Sequence, residues 1–119
     1  MHTFTLKVPP LLNAYYGHIA KGKRVIKYIK KAGKEYKEYV KSYVTLNNLT
    51  LRANIPLKMT LKIYFKDKRT RDIDAPLKCL LDSLTEAEVY DDDSLITELN
   101  ITKSIDSSNP RVEITLEAS

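Results

Sequence analysis

Cysteine is nearly absent: Cys79 stands alone. No internal disulfide can form, so the fold must rest on its core, as suits a reducing compartment. Histidine is almost as scarce. One cysteine with two separated histidines, His2 and His18, does not make a zinc site. No histidine neighbours Cys79 and there is no serine elbow, which excludes serine- or cysteine-type nucleophilic hydrolysis. No apolar run approaches the ~20 residues of a membrane span. The opening MHTFTLKVPP has no positive segment followed by an apolar one, so a secretory signal is not expected. These absences lead to the expectation of a soluble, cytoplasmic protein with no membrane partner. Repeats, low-complexity tracts and inter-domain linkers are also missing.

What is present fits one domain. A chain of 119 residues matches the common domain size of ~100–150. With 43% apolar and 29% charged residues, it is neither disordered nor fibrous. The net charge of +5 hides an asymmetry. Residues 1–50 carry ten Lys/Arg against two acids, Glu35 and Glu38, whereas residues 51–119 carry ten against thirteen. A basic first half suits a polyanionic partner, because Lys and Arg neutralise phosphates and release counterions. A solvated lysine-rich helix face would show the same charge.

Phe4, Leu6 and Val8 alternate with polar residues as a half-buried strand does, and Pro9-Pro10 ends it. Residues 11–33 then read as a long irregular loop. It holds all three glycines (Gly17, Gly22, Gly33), the cations Lys21, Lys23, Arg24, Lys27, Lys30 and Lys31, and interleaved Tyr15, Tyr16, His18 and Tyr28. From Lys34 the spacing of Tyr36, Tyr39, Val40, Tyr43 and Val44 predicts a helix with one buried stripe. Residues 57–66 predict a strand, with Leu57, Met59, Leu61, Ile63 and Phe65 on an apolar face. Its other face, bearing Lys58, Lys62 and Lys66, reads as basic. A second helix is expected from Ala75-Pro76 to near Glu88, with Leu77, Leu80, Leu81 and Leu84 as its stripe. Leu95, Thr97, Leu99 and Ile101 predict a third strand, and Val112, Ile114 and Leu116 a fourth, joined by a turn at residues 106–110. The order β-α-β-α-β-β indicates a single α+β domain over residues 1–119. It would have one mixed sheet of about four strands with two helices on its apolar face.

Two acidic clusters lie at the ends of these elements. Asp72 and Asp74 stand between the second strand and the second helix, two residues apart, so an extended chain turns both carboxylates the same way. Asp91-Asp92-Asp93 follows that helix. Hard cations such as Mg²⁺ take oxygen ligands, usually one or two carboxylates plus water and phosphate. Read singly, Asp74 also suits a helix-start acid, the aspartate run a solvated loop, and Lys78 a helix-face partner of Asp74 and Asp82. The spacing excludes an EF-hand.

Taken together, the run Arg71-Asp72-Ile73-Asp74-Ala75-Pro76-Leu77-Lys78, then Leu81-Asp82-Ser83-Leu84, then Val89-Tyr90-Asp91-Asp92-Asp93-Ser94 resembles the RusA family of Holliday junction resolvases. Val8-Pro9-Pro10-Leu11-Leu12-Asn13-Ala14-Tyr15-Tyr16 resembles that family's opening. One departure is Ala75, where the family carries asparagine. The resemblance implies an endodeoxyribonuclease, dependent on Mg²⁺ and without an organic cofactor, that resolves four-way DNA by paired nicks. Carried over residue by residue, Asp72, Asp74 and Asp93 match the catalytic, metal-holding acids, with Asp92 beside the third, and Lys78 matches the functional lysine. The cations Lys21, Lys23, Arg24, Lys27, Arg69 and Arg71 would hold DNA backbones. Two nicks need two sites, so a two-fold homodimer is expected. A non-catalytic DNA-binding module and a nuclease of other branched DNA are the competing readings.

Overall fold

A computed structural model describes all 119 residues. Its strands and α-helices number nine: β1 (His2–Leu6), α1 (Leu12–Tyr15), β2 (Tyr16–Lys21), β3 (Arg24–Ile29), α2 (Lys31–Leu46), β4 (Leu57–Phe65), α3 (Leu77–Glu86), β5 (Ile96–Ile105) and β6 (Arg111–Ala118). The expected β-α-β-α-β-β frame is present, and α1, β2 and β3 are added to it. Four strands form a mixed sheet in the order β1-β6-β4-β5, and β2 and β3 form a separate two-stranded sheet.

The alternation of β4 decides which face is buried. Leu57, Met59, Leu61, Ile63 and Phe65 are all buried, with Val112, Ile114 and Leu116 of β6 and Phe4 and Leu6 of β1 beside them. Tyr36, Val40 and Val44 of α2 and Leu80 and Leu84 of α3 cover that face. Connection through α3 makes β4 and β5 parallel, as a crossover helix requires. The turn at 106–110 does not join neighbouring strands, because β4 lies between β5 and β6. It passes over the end of β4, where the Asp106 amide donates to the Phe65 carbonyl at 2.8 Å.

Several expectations need correcting. Residues 11–33 are not irregular: they form α1, the β2–β3 hairpin and the start of α2, which begins at Lys31 rather than Lys34. The hairpin escapes a periodicity reading because most of it is exposed on both faces, so no apolar–polar alternation is required of it. Its turn is Gly22-Lys23, where Gly22 adopts φ +61°, a left-handed conformation that glycine takes without steric cost. The second correction concerns β5. Its pairing shifts between Leu57 and Lys58, so Ile96, Leu99 and Ile101 lie opposite Leu57, Met59 and Leu61. The bulge spends one residue there and removes Thr97 from the core face; the Thr97 hydroxyl donates to the Leu57 carbonyl instead. Third, the outer face of the sheet is not basic. Lys58 pairs with Glu98 at 3.0 Å and Lys62 lies opposite Glu113, so neighbouring strands supply the compensating acids.

The predicted second helix is shorter than expected, Leu77–Glu86 with Pro76 just before it. No helix is long and apolar enough to cross a membrane. The single thiol belongs to the core: burial pushes Cys79 up to about 11, and the Ser83 hydroxyl beside it donates to the Cys79 carbonyl at 2.6 Å.

Candidate active site

Asp72 and Asp74 lie in the turns that lead into α3. The Ala75 amide donates to the Asp72 carbonyl at 3.1 Å, and the Leu77 amide to the Asp74 carbonyl at 3.0 Å. Those backbone bonds fold the segment and leave both side chains in solvent. The Ala75 carbonyl accepts from the Leu12 amide at 3.0 Å, which fastens α1 to the acidic turn through backbone alone. Asp72 and Asp74 thereby share the wall of an open cavity of about 370 Å³ with Leu11, Asn13, Thr70 and Arg71.

Arg71 fixes the other end of this segment. Its guanidinium donates to Asp67 at 2.7 Å and lies over the Phe65 ring, 4.6 Å from the centroid. The carbonyl of Arg71 accepts from the Lys103 ammonium at 2.6 Å. Hydrogen bonds from the Arg71 guanidinium and the Arg69 amide hold the Asp67 carboxyl below its usual range. That contribution exists above the ordinary carboxylate pKa and is lost as the pH falls through the lowered one. Arg71, its side chain 11% exposed, is therefore a brace for the acidic segment and offers DNA little surface. Arg69 is exposed, and with Lys68 and Lys103 it lines an adjoining cleft of about 430 Å³.

The second acidic cluster is positioned by its neighbours. Val89 and Tyr90 are fully buried, and the Tyr90 hydroxyl donates to the Leu81 carbonyl on α3 at 3.2 Å. On the other side, the Asp91 amide donates to the Ala53 carbonyl at 2.9 Å. Asp92 accepts from the Ser94 amide at 3.1 Å and caps a short 3₁₀ turn, Asp93–Leu95. Hydrogen bonds from Ser94 keep the Asp92 carboxyl below its usual value, so that side chain has a structural partner already. Asp93 is half-buried and Asp91 exposed.

Lys78 lies on α3, the helix between the two clusters in the chain. Its ammonium donates to Asp82 at 2.9 Å, one helical turn further along α3. The other Asp82 oxygen accepts from the Tyr15 hydroxyl at 2.6 Å. The Asp82 hydrogen bond raises the Lys78 pKa, with smaller contributions from Tyr16 and Asp93. Tyr15 is fully buried, and its ring occupies the space that a side chain on Gly33 would need. In the sequence Asp82 stands as a helix-face partner of Lys78 and as part of the run that resembles the family. The Tyr15 bond, between residues 67 positions apart, is what marks Asp82 as the group that orients the lysine. Asp82→Asn keeps the shape but loses the charge. It is expected to lower single-turnover cleavage about tenfold while DNA affinity stays within about twofold, given that hydrogen bonds to charged groups contribute ~1.5–3 kcal/mol. Stopped single-turnover assays beside gel shifts check this. With the Lys78 pKa raised, the ammonium is charged at neutral pH, and its contribution is lost as the pH climbs through that raised value.

The remaining cations, Lys21, Lys23, Arg24 and Lys27, are exposed on the β2–β3 hairpin, with the Lys27 ammonium 3.9 Å from the Tyr16 ring centroid. The donor chemistry suits a hard dication at one place. Asp67, Asp82, Asp92 and Asp106 are hydrogen-bonded to cations or backbone amides, whereas the side chains of Asp72, Asp74, Asp91 and Asp93 have no partner in the chain, and of these Asp72 and Asp74 share a cavity wall. No three carboxylate, histidine or cysteine groups converge closely enough to hold a metal by themselves. The fit is thus with Asp72 and Asp74 as a pair, the ligand number at which Mg²⁺ keeps water and phosphate oxygens.

A family model described as endodeoxyribonuclease RusA matches residues 8–117. A crossover junction endodeoxyribonuclease RusA of Shigella sonnei is 28% identical over 115 residues, covering 97% of this chain and 92% of that protein. One from Escherichia coli K12 is 27% identical with the same coverage. One from Enterobacteria phage 82 is 29% identical over 118 residues, covering 98% of this chain and 95% of that protein. The match spans both acidic clusters, Lys78 and the hairpin, and the chain belongs to the RusA family of endodeoxyribonucleases.

Proposed function

We propose that this endodeoxyribonuclease resolves four-way DNA junctions in the cytoplasm by paired, symmetrical nicks, with Mg²⁺ as its metal. The observation that carries the reading is the pair of unpartnered carboxylates, Asp72 and Asp74, on one cavity wall; the α3 that follows them carries a lysine held in place by Asp82. Relatives named crossover junction endodeoxyribonucleases support the choice of substrate. Family membership sets aside the non-catalytic binding module.

Asp72 and Asp74 would hold the metal, and Asp93 of the 3₁₀ turn is the residue that the family resemblance matches to the third acid. When bound, the dication supplies polarisation of the scissile phosphate and acidification of water. The other work falls to the chain's own groups. Lys78, fully protonated at neutral pH, offsets the negative charge that develops on the phosphate oxygens. Asp82 and Tyr15 keep that ammonium from swinging away. Lys21, Lys23, Arg24, Lys27 and Arg69 hold backbones without reading bases.

The direct test is nicking of a four-way junction beside a linear duplex and a flap, with and without Mg²⁺. Junction-selective, Mg²⁺-dependent paired nicks support the proposal. Equal cleavage of all three substrates, or preference for the flap, replaces it with a nuclease of other DNA. Paired nicking also calls for a homodimer, so light scattering that reads only monomer with and without junction DNA removes that part. Salt dependence reports on the hairpin: Lys23→Ala and Arg24→Ala are each expected to flatten the slope of log affinity against log salt by about 0.9, read from gel shifts across a salt series.

A further inference from the structure

The β2–β3 hairpin is a ribbon set apart from the main sheet, and isolated two-stranded ribbons are marginal in water. Its root lies at the candidate active site. Tyr15, bonded to Asp82, directly precedes β2, and the Lys30 amide closes the base on the Tyr15 carbonyl at 2.8 Å. Five residue steps carry the ribbon about 17 Å outward.

Register separates its two faces. Gly17 pairs with Tyr28, Ile19 with Ile26 and Lys21 with Arg24; directly opposed and alternate pairs share a face. From root to tip, that face presents a tyrosine ring, two isoleucines and two cations. Tyr28 is 42% exposed, Ile19 51% and Ile26 40%. The Tyr28 ring lies across Gly17, where a Cβ would not fit, so the ring is laid along the face. Every charged residue of the ribbon is cationic, and no acid occurs before Glu35.

A partner for this face must offer both phosphate and apolar surface. A second copy's ribbon would set cations against cations. An intact duplex offers phosphates, but its bases are stacked, and apolar side chains in the groove reach little beyond thymine methyls. A branch point offers both, because bases flanking it lack one stacking neighbour and apolar wedges can enter opened steps. We infer that the Ile19–Ile26–Tyr28 face packs against unstacked bases at the centre of the junction while Lys21, Lys23 and Arg24 follow the diverging strands. This rests on the junction reading above and adds to it a contact with bases rather than with backbone.

The test is the fluorescence of 2-aminopurine, which brightens when a base leaves the stack. The base is placed beside the branch point, about eight base pairs away, or in a linear duplex, always in EDTA so that no nicking occurs. Wild-type protein is expected to brighten only the branch-point probe. Ile19→Ser/Ile26→Ser retains every cation. It is expected to lose the brightening and about tenfold in junction affinity, the scale of losing a buried isoleucine side chain, with duplex affinity within about twofold. Circular dichroism confirms its fold, and Ile26→Ala serves as a milder second variant. Junction binding by wild type with no brightening overturns the inference and leaves the junction reading standing, whereas no preference for junction over duplex overturns both. Equal losses on junction and duplex would place the ribbon in a groove. Conversion to monomer by the double variant, seen by light scattering, would place it against a second copy. Either result overturns the inference.

Discussion

Asp74→Asn is expected to leave a folded protein that binds four-way DNA and fails to cut it. The substitution keeps the side chain's size and removes the charge that attracts a dication. Metal stabilisation of a phosphoryl transition state amounts to several kcal/mol, so the loss should be about 1000-fold or more, at about 1.4 kcal/mol per tenfold. Asp74 is exposed and its side chain bonds to nothing in the chain, so stability should hardly change; the turn depends on its carbonyl. Without Mg²⁺, junction affinity should stay level or rise, since an anion near the phosphates is gone. Asp72→Asn, on the same cavity wall, should behave alike. Asp93→Asn should also lose nicking, whereas Asp91→Asn should lose less. Parallel nicking and gel-shift assays with circular dichroism decide the matter. Near wild-type rates in folded Asp74→Asn would remove the mechanism.

Leu80→Ala is expected to produce the largest loss of stability. Leu80 is fully buried on α3, between Lys78 and Asp82 in sequence and on the opposite side of the helix. Truncating a buried leucine removes transfer free energy and leaves a cavity, costing about 2–5 kcal/mol of a total near 5–15 kcal/mol. The urea midpoint should fall accordingly. Cleavage at low temperature should persist, because the site's own groups are untouched; a stable Leu80→Ala would mean that α3 is not pinned by this residue. The corresponding Lys78→Ala should do the reverse, losing cleavage with little change in midpoint, since that side chain is half exposed.

Asp72, Asp74, Asp93 and Lys78 entered as candidates through the resemblance of their run to the family, since each read singly also suits a turn, a solvated loop or a helix-face pair. Legible directly were β4, whose alternation describes a strand with one buried face, and the Pro76 start of α3. Periodicity reports burial, so it speaks clearly for elements with a single buried face and says little about others. The β2–β3 ribbon, exposed on both faces, left only glycines and cations in the sequence. Its regular pairing from Tyr16–Ile29 to Lys21–Arg24 became visible only in three dimensions.

The amino-acid sequence by itself determined the α+β class and the boundaries of the core strands to within a few residues, and through its resemblance to the family it named the candidate acids and lysine. Only the tertiary structure decided the strand order, the bulge that brings Ile96 to the core face, and the use of Arg71 as a brace. It alone also joined Tyr15 to Asp82 and set the ribbon's root beside Lys78. Local patterns record the environment of each residue along its own element. A hydrogen bond such as Tyr15–Asp82 joins two elements, and its existence depends on how α1, α2 and α3 pack, which no spacing along one segment contains.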